Sequence, residues 1–553
     1  MRASSIDDQP QSNDNNNNKP IEKLIMQNTI IPRKSILALA VSAAVSAGAV
    51  QNSYALSFEP ADEVTVHWDT TVGYSAGWRV SEQDAEALAD INNDDGNRNF
   101  KKGAMVNNRF SVLSEADIQY KNYGAFIRGS AFYDGAYYGT NDNDSEATFN
   151  GNGNHDGFSK AVRDAHGSDA RILDAFVYGS FDVRDQLLNV RVGKQVVSWG
   201  ESLFIPGISS AMSPADATKT TVPGVEVKDI LLPVGQVFAQ YDINDTLSVA
   251  AYSQWEWAQN EVSEAGSYFG ASDTLDNAGD SLLLPIPGLG VREAVRGQDI
   301  DARDSGQWGV ALNYYAENLG YGTDFGLYYL NYHDKNPSIV TADYYTLGPA
   351  RLPGSYHSEF VEDIKLIGFS FSTLIGDTNV GGEIAYRKDA AVNPSGFNAS
   401  TDAIRRADTL QAQVSVIHSF GASAIADDVV FSGEFGYNEV RGINNNNELP
   451  GYADITMDES GAGIAGSVTL KYNSVFPGTN LEVPVNFSHN INGNSAAGGF
   501  TRGQNSDRVS VGTKFIYKTQ WEAGVNYSAY FGSYEENQYT DRDFVSVNLK
   551  YSF

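Results

Sequence analysis

The sequence has no cysteine, no long apolar run beyond its first 55 residues, and little positive charge. The first absence removes disulfides and thiolate metal sites. The second removes a helical membrane protein, which needs roughly 18 apolar residues in succession. The third, 38 Lys and Arg against 69 Asp and Glu for a net charge of −31, sets the chain against a nucleic-acid partner, whose phosphates it would repel. Solvated acidic loops and general acidity account for that balance equally well. Histidine is also scarce: His67, His155, His166, His333, His357, His418 and His489 show no metal-ligand spacing. Residues Gly207 to Ala211 (GISSA) form a nucleophile elbow without its final glycine or its strand-turn-helix setting. Asp142, Asp144 and Glu146 depart from the full calcium-loop pattern and read as a solvated acidic loop. No catalytic residue, metal or cofactor is expected, and the chain reads as a non-enzyme.

What is present is alternation. In the last ten residues Val545, Val547, Leu549, Tyr551 and Phe553 share one parity, and Ser546, Asn548, Lys550 and Ser552 share the other. Such a strand has one oily face and one wet face. A strand tilted across a bilayer needs roughly 9–11 residues, and the closing aromatic, with Leu549 and Tyr551 before it, resembles the assembly signal of bacterial outer-membrane barrels. The same parity organises the first legible strand, where Val64, Val66, Trp68, Thr70, Val72 and Tyr74 lie opposite His67 and Asp69. The 30 Tyr and 27 Phe recur near strand ends, as aromatic girdles do.

Residues 1–25 are polar and Asn-rich, a disordered extension or a mis-assigned start before Met26. Residues 26–55 read as a signal peptide: Arg33 and Lys34, an apolar core from Ile36 to Val50, then a small-residue cleavage site. Residues 56–553 are one barrel. Alternating segments from 64–80 to 544–553 number 18, with 16 as the alternative, and long polar loops and short turns follow one another by parity. A soluble sandwich has no reason to segregate loop length in this way; an up-and-down transmembrane barrel does. Facing agrees. Trp308, Val310, Leu312 and Tyr314, or Val509, Val511, Phe515 and Tyr517, fall on the lipid parity. Arg109, Glu115, Asp117, Arg128, Asp134, Asp174, Arg191, Glu383, Arg387, Glu434, Lys471, Glu482, Lys514 and Glu522 fall on the lumen parity. The expected fold is an all-β, antiparallel, membrane-spanning barrel of about 18 strands.

The pattern breaks after Val192, because continued parity would set Lys194 in lipid. Either a bulge near Gly193 resets the register, or the chain leaves the wall and folds inward. Residues 200–234 then mix Pro206, Pro214, Pro223 and Pro233 with Leu203, Phe204, Ile205, Ile208 and Met212, which suits a plug inside the barrel better than a loop in water. Four stretches carry a resemblance: Arg191 to Glu201 with Phe204 (RVGKQVVSWGE, then F), Pro223 to Lys228 (PGVEVK), Trp255 to Trp257 (WEW) and Asp304 to Leu312 (DSGQWGVAL). Together they resemble domain-of-unknown-function family 1302 of Gram-negative outer-membrane proteins. The resemblance implies a barrel tied to hydrophobic-compound metabolism, with a resistance-nodulation-division type transporter and a periplasmic lipoprotein-like protein as partners. It implies no catalytic residues.

Trp199, Glu201, Phe204, Trp255 and Glu256 are the candidate ligand path or plug, with Glu256 facing the lumen by parity. Leu283 and Leu284 belong to an apolar run, SLLLPIPGLGV, that suits either a lip where a hydrophobic solute leaves water or a second plug. The expected function is an outer-membrane channel or transporter for hydrophobic or amphipathic small molecules, inserted by the barrel assembly machinery among outer-membrane lipid. A general porin for polar solutes is the alternative, and a structural or adhesive barrel a weaker third. A plug with an apolar pocket and a constriction of separated charges are the interiors that tell the first two apart.

Overall fold

The computed structural model describes residues 56–553 except 152, 271, 276, 349, 393–403, 445–456 and 499–503. The expected disordered extension and signal peptide lie outside the described residues.

Eighteen antiparallel strands form the wall. The first six are β1 (Val64–Arg79), β2 (Met105–Tyr120), β3 (Tyr123–Asp134), β4 (Ser168–Val183), β5 (Gln186–Gln195) and β6 (Val234–Asp242). They continue as β7 (Leu247–Gln254), β8 (Trp308–Ala316), β9 (Thr323–Tyr332), β10 (Ile364–Ile375), β11 (Thr378–Val392) and β12 (Arg405–Ser419). The last six are β13 (Asp428–Ile443), β14 (Ser460–Phe476), β15 (Thr479–Asn492), β16 (Asp507–Tyr517), β17 (Trp521–Phe531) and β18 (Phe544–Ser552). Each pairs with the next, and β18 closes on β1 from Thr71↔Ser552 to Arg79↔Phe544. A short strand, Leu56–Ala61, folds back on the start of β1 and stands outside the ring. The count is therefore 18.

The period-2 pattern is what closes this ring. On β8, Val310 and Leu312 are each 40% exposed on the outside while Ala311 between them is fully buried. On β10, Ile367 is exposed and Leu366 is buried. Closure leaves no unpaired sheet edge, and the apolar exterior makes the wall one that crosses a membrane on strands. No helix among the described residues is long and apolar enough to do so. One end carries tight connections: Arg184 and Asp185, both at positive φ, turn β4 into β5 in two residues, with a backbone twist that matches the strands. The other end carries the long links. Several of these pack on one another through Phe100, Tyr137, Phe158, Val162, Ala265 and Tyr268. The apolar run at 281–291 becomes a hairpin, Ser281–Ile286 with Gly290–Arg296, in a separate four-stranded sheet with Ser338–Ala342 and Ser355–Glu359.

At the break after Val192, β5 pairs with β4 and β6 through Lys194 without a register shift. The chain leaves the wall after Gln195, so the departure rather than a bulge explains the lost alternation.

Candidate functional site

The long link from β5 to β6, residues 196–233, is attached to side chains of the wall at three places. It cannot continue as a strand. Four prolines lack the N–H a ladder needs, and Gly200 and Gly224 sit at φ +104° and +79°, where a side chain is strained. What it does instead is bond to inward-pointing side chains of the wall.

The first attachment is to β11 and β13. Glu383 on β11 accepts the Glu201 N–H and the Ile208 N–H, each at 2.7 Å. Glu434 on β13 accepts the N–H groups of Leu203, Phe204 and Ile205 at 3.1, 2.6 and 2.6 Å. Wall donors take the carbonyls in return: Gln413 donates to Ile205 O, Gln411 to Pro206 O and Arg387 to Gly207 O. Gly207 is required here, because a Cβ would fall 1.7 Å from Glu383 Oε1. A carboxylate holding several backbone N–H groups is a strong, charge-assisted arrangement in a dry setting.

The second attachment is apolar. Ile208, Ala211 and Met212 are buried against Tyr252, Ala311, Tyr328, Leu330, Ile364 and Leu366 of the wall. Trp199 lies 5.2 Å from the Tyr252 ring and 5.9 Å from the Tyr328 ring. Lys335, on the link after β9, donates to Ala211 O at 2.8 Å, and burial pushes its ammonium down to about 8. Burial, with the Asp324 and Glu383 carboxylates beside it, pushes the Glu201 carboxyl up to about 8.

The third attachment is on the far side of the ring. Lys228 pairs with Glu115 of β2 at 2.8 Å, and Lys550 of β18 pairs with Glu226 at 3.2 Å. Between them Gly224 lies against Lys550 and Asn548. A one-turn helix, Val227–Ile230, closed by a reciprocal bond between Glu226 and Asp229, fixes this end. In the ring order the attachments on β11 and β13 stand at least five strands from those on β2 and β18. Beside it the lumen is lined by compensated charges: Arg128 with Asp174 at 2.5 Å, Arg109 with Asp134 at 3.3 Å, Lys514 with Glu482 at 2.6 Å.

Of the residues singled out by sequence, Trp199, Glu201 and Phe204 come together on this segment. The other four do not join them. Trp255 is exposed on the outer parity with its indole over Gly235. β7 ends at Gln254, so the parity that points Glu256 inward no longer applies; its carboxylate takes the Gly235 N–H and pairs with Lys194 at 3.6 Å. That pair also answers how Lys194 keeps an outward position. Leu283 and Leu284 lie in the hairpin of the long-loop end, Leu283 buried and tied to Asn92 through its backbone. At the C-terminus Leu549 is exposed outward, Tyr551 packs 4.5 Å from Trp521, and Phe553 exchanges backbone bonds with Thr70. Sequence reasoning placed Glu383, Glu434 and Arg387 in the lumen but missed that they hold the segment. It also missed Lys335.

The sequence matches the model of a protein family of unknown function, DUF1302, over residues 36–553, nearly the whole chain. The chain belongs to the DUF1302 family. No curated protein matches this DUF1302 chain. Among solved structures, OccAB2 of Acinetobacter baumannii is 11% identical, with a TM-score of 0.40 over 91% of this chain and 99% of that one. OccK9 (OpdG) of Pseudomonas aeruginosa is 10% identical, with a TM-score of 0.41 over 88% and 97%. The outer membrane channel DcaP of Acinetobacter baumannii is 11% identical, with a TM-score of 0.36 over 90% and 99%. Likeness at this level says nothing of what this DUF1302 chain carries.

Proposed function

We propose that this protein is an outer-membrane channel for small amphipathic molecules, with the short turns in the periplasm and residues 196–233 serving as a partial plug. The observation that carries this reading is the attachment of one segment to both sides of the lumen, by Glu383 and Glu434 on one wall and by Glu115 and Lys550 on the other. An 18-stranded barrel without such a segment leaves an open aqueous channel. Phe204 and Val227, at 37% and 48% exposure, are apolar groups left uncovered on a segment set among ion pairs. A cargo with an apolar body and a polar head suits that mixture. The signal peptide, insertion by the barrel assembly machinery and hand-over to a lipoprotein-like protein and a resistance-nodulation-division type transporter belong to the same reading.

A porin for polar solutes is the second reading, favoured by the charge pairs that line the remaining lumen. Single-channel recording in planar bilayers separates the two. The intact protein is expected to show small conductance that a medium-chain fatty acid or sterol interrupts, and replacing residues 202–229 by a short Gly-Ser linker is expected to enlarge it and abolish the interruptions. Large, steady openings of the intact protein, indifferent to lipid, defeat the amphipathic reading and leave the porin.

A further inference from the structure

At the long-loop end three carboxylates are packed together out of water. Asp94 and Asp95 come from the link after β1, and Asp273 from the link after β7; at 0%, 2% and 0% exposure, they offer oxygens that all lie within 4.8 Å of one another. Only Asp94 has an ion pair among the described residues, with Arg98, which it shares with Asp144. The hydrogen bonds around the cluster are too few. Asp95 accepts from the Asn150 N–H at 3.1 Å and from Asn143 at 3.4 Å, and Asp273 accepts the Asp95 N–H at 3.0 Å. The second oxygen of Asp273 and one oxygen of Asp94 accept nothing, although both side chains are fully buried. Asn150, 1% exposed and bonded to Asp95 through its backbone, leaves its own Oδ1 without a donor. Arg98 pairs with Asp94 and the Arg542 guanidinium acts on Asp273, but three buried carboxylates with unfilled acceptors remain costly.

We propose that Asp94, Asp95 and Asp273, with the amide oxygen of Asn150, bind a divalent cation of the calcium type that fastens three outer links over the barrel mouth. The donor set is oxygen throughout, which selects a hard cation over zinc or copper. Calcium accepts an irregular cage of 6–8 oxygens, whereas magnesium demands a near-ideal octahedron and keeps its waters, so an enclosed protein site favours calcium. The cation supplies the charge the cluster lacks. The links it joins are already neighbours: Asp273 N–H donates to Asn92 O, and Asn150 donates to Asn92 and to Ser281 O. Among the described residues no hydrogen bond or ion pair joins Asp94, Asp95 or Asp273 to residues 196–233, so the proposal stands apart from the reading of the channel.

The test uses the full-length protein refolded in detergent and stripped with a chelator. Terbium luminescence, sensitised by nearby Tyr268 and Tyr534, is followed as terbium is added and then displaced by calcium chloride. One saturable site per chain, displaced by calcium and lost in Asp273→Asn, is the expected result. Limited proteolysis of the outer links should slow with calcium in the parent and remain fast in the variant. Because Asp273→Asn can disturb folding, heat-modifiable gel migration checks each barrel, and Asp95→Asn serves as an independent second variant. Absence of a saturable site in the folded parent, or full binding retained by both folded variants, overturns the proposal and leaves protons as the means by which the cluster is neutralised.

Discussion

Glu434 takes three peptide N–H groups on two oxygens, so its loss leaves several buried donors without partners at once. Each such donor costs roughly 1–3 kcal/mol. Glu434→Ala is expected to loosen the segment by about 3 kcal/mol or more while leaving the wall intact, read as enlarged, noisy conductance with unchanged gel migration of the folded barrel. Glu201 gives a pH dependence. In the folded chain it keeps its proton up to about pH 8, against 4.5 for the free side chain, so the native state binds more protons between those values. Stability of the segment therefore falls as pH rises through that window, and above about 8 the ionised Glu201 repels Asp324 and Glu383. Conductance noise is expected to rise in the parent as pH climbs from 4.5 to about 8 and to level off above it. Glu201→Gln is expected to give a flat profile over the same range. The sequence revealed at this scale only that Glu383 and Glu434 point inward. Which groups they hold depends on a chain segment some 180–230 residues earlier, and no local pattern records such a pairing.

The elements differ in how openly they are written. A wall strand repeats its message at every second residue, so β8 and β18 could be read with the correct face without any partner in view. The departure from the wall after Gln195 was legible as an exception, through prolines and apolar residues that do not suit a strand. Glu256 was misplaced because parity was carried past Gln254, where the strand stops, while Trp255 stands on the outer parity and does not join the segment. Gly207 tests the element as a whole. Gly207→Ala forces a Cβ into Glu383 and should push the segment away from β11, raising conductance. Gly442→Ala on β13, whose Cβ would meet nothing within 4 Å, is the control and should leave conductance unchanged.

For the whole molecule the governing fact is a closed ring with an oily exterior and a polar, ion-paired interior. Val310 stands on that exterior, and a basic residue at the bilayer midplane costs roughly 2–4 kcal/mol. Val310→Arg is expected to lower barrel stability by that order in urea titrations of the protein in lipid vesicles. Val310→Ala, which keeps the outer face apolar, should change it far less. Removal of Phe553, which closes the β18 seam by bonding to Thr70, is expected to reduce the yield of folded barrel more than its final stability, as measured by the folding rate into vesicles.

The fastening of residues 201–208 has a further consequence for how such a protein changes over time. Glu383 and Glu434 grip peptide groups, which every residue but proline supplies, and not the side chains attached to them. The identities of Leu203 and Phe204 are thus uncoupled from the position they occupy. The tenant can be replaced while the address is kept, so on the channel reading proposed above one barrel can be refitted for a different cargo by exchanging a few side chains on a support that stays where it is.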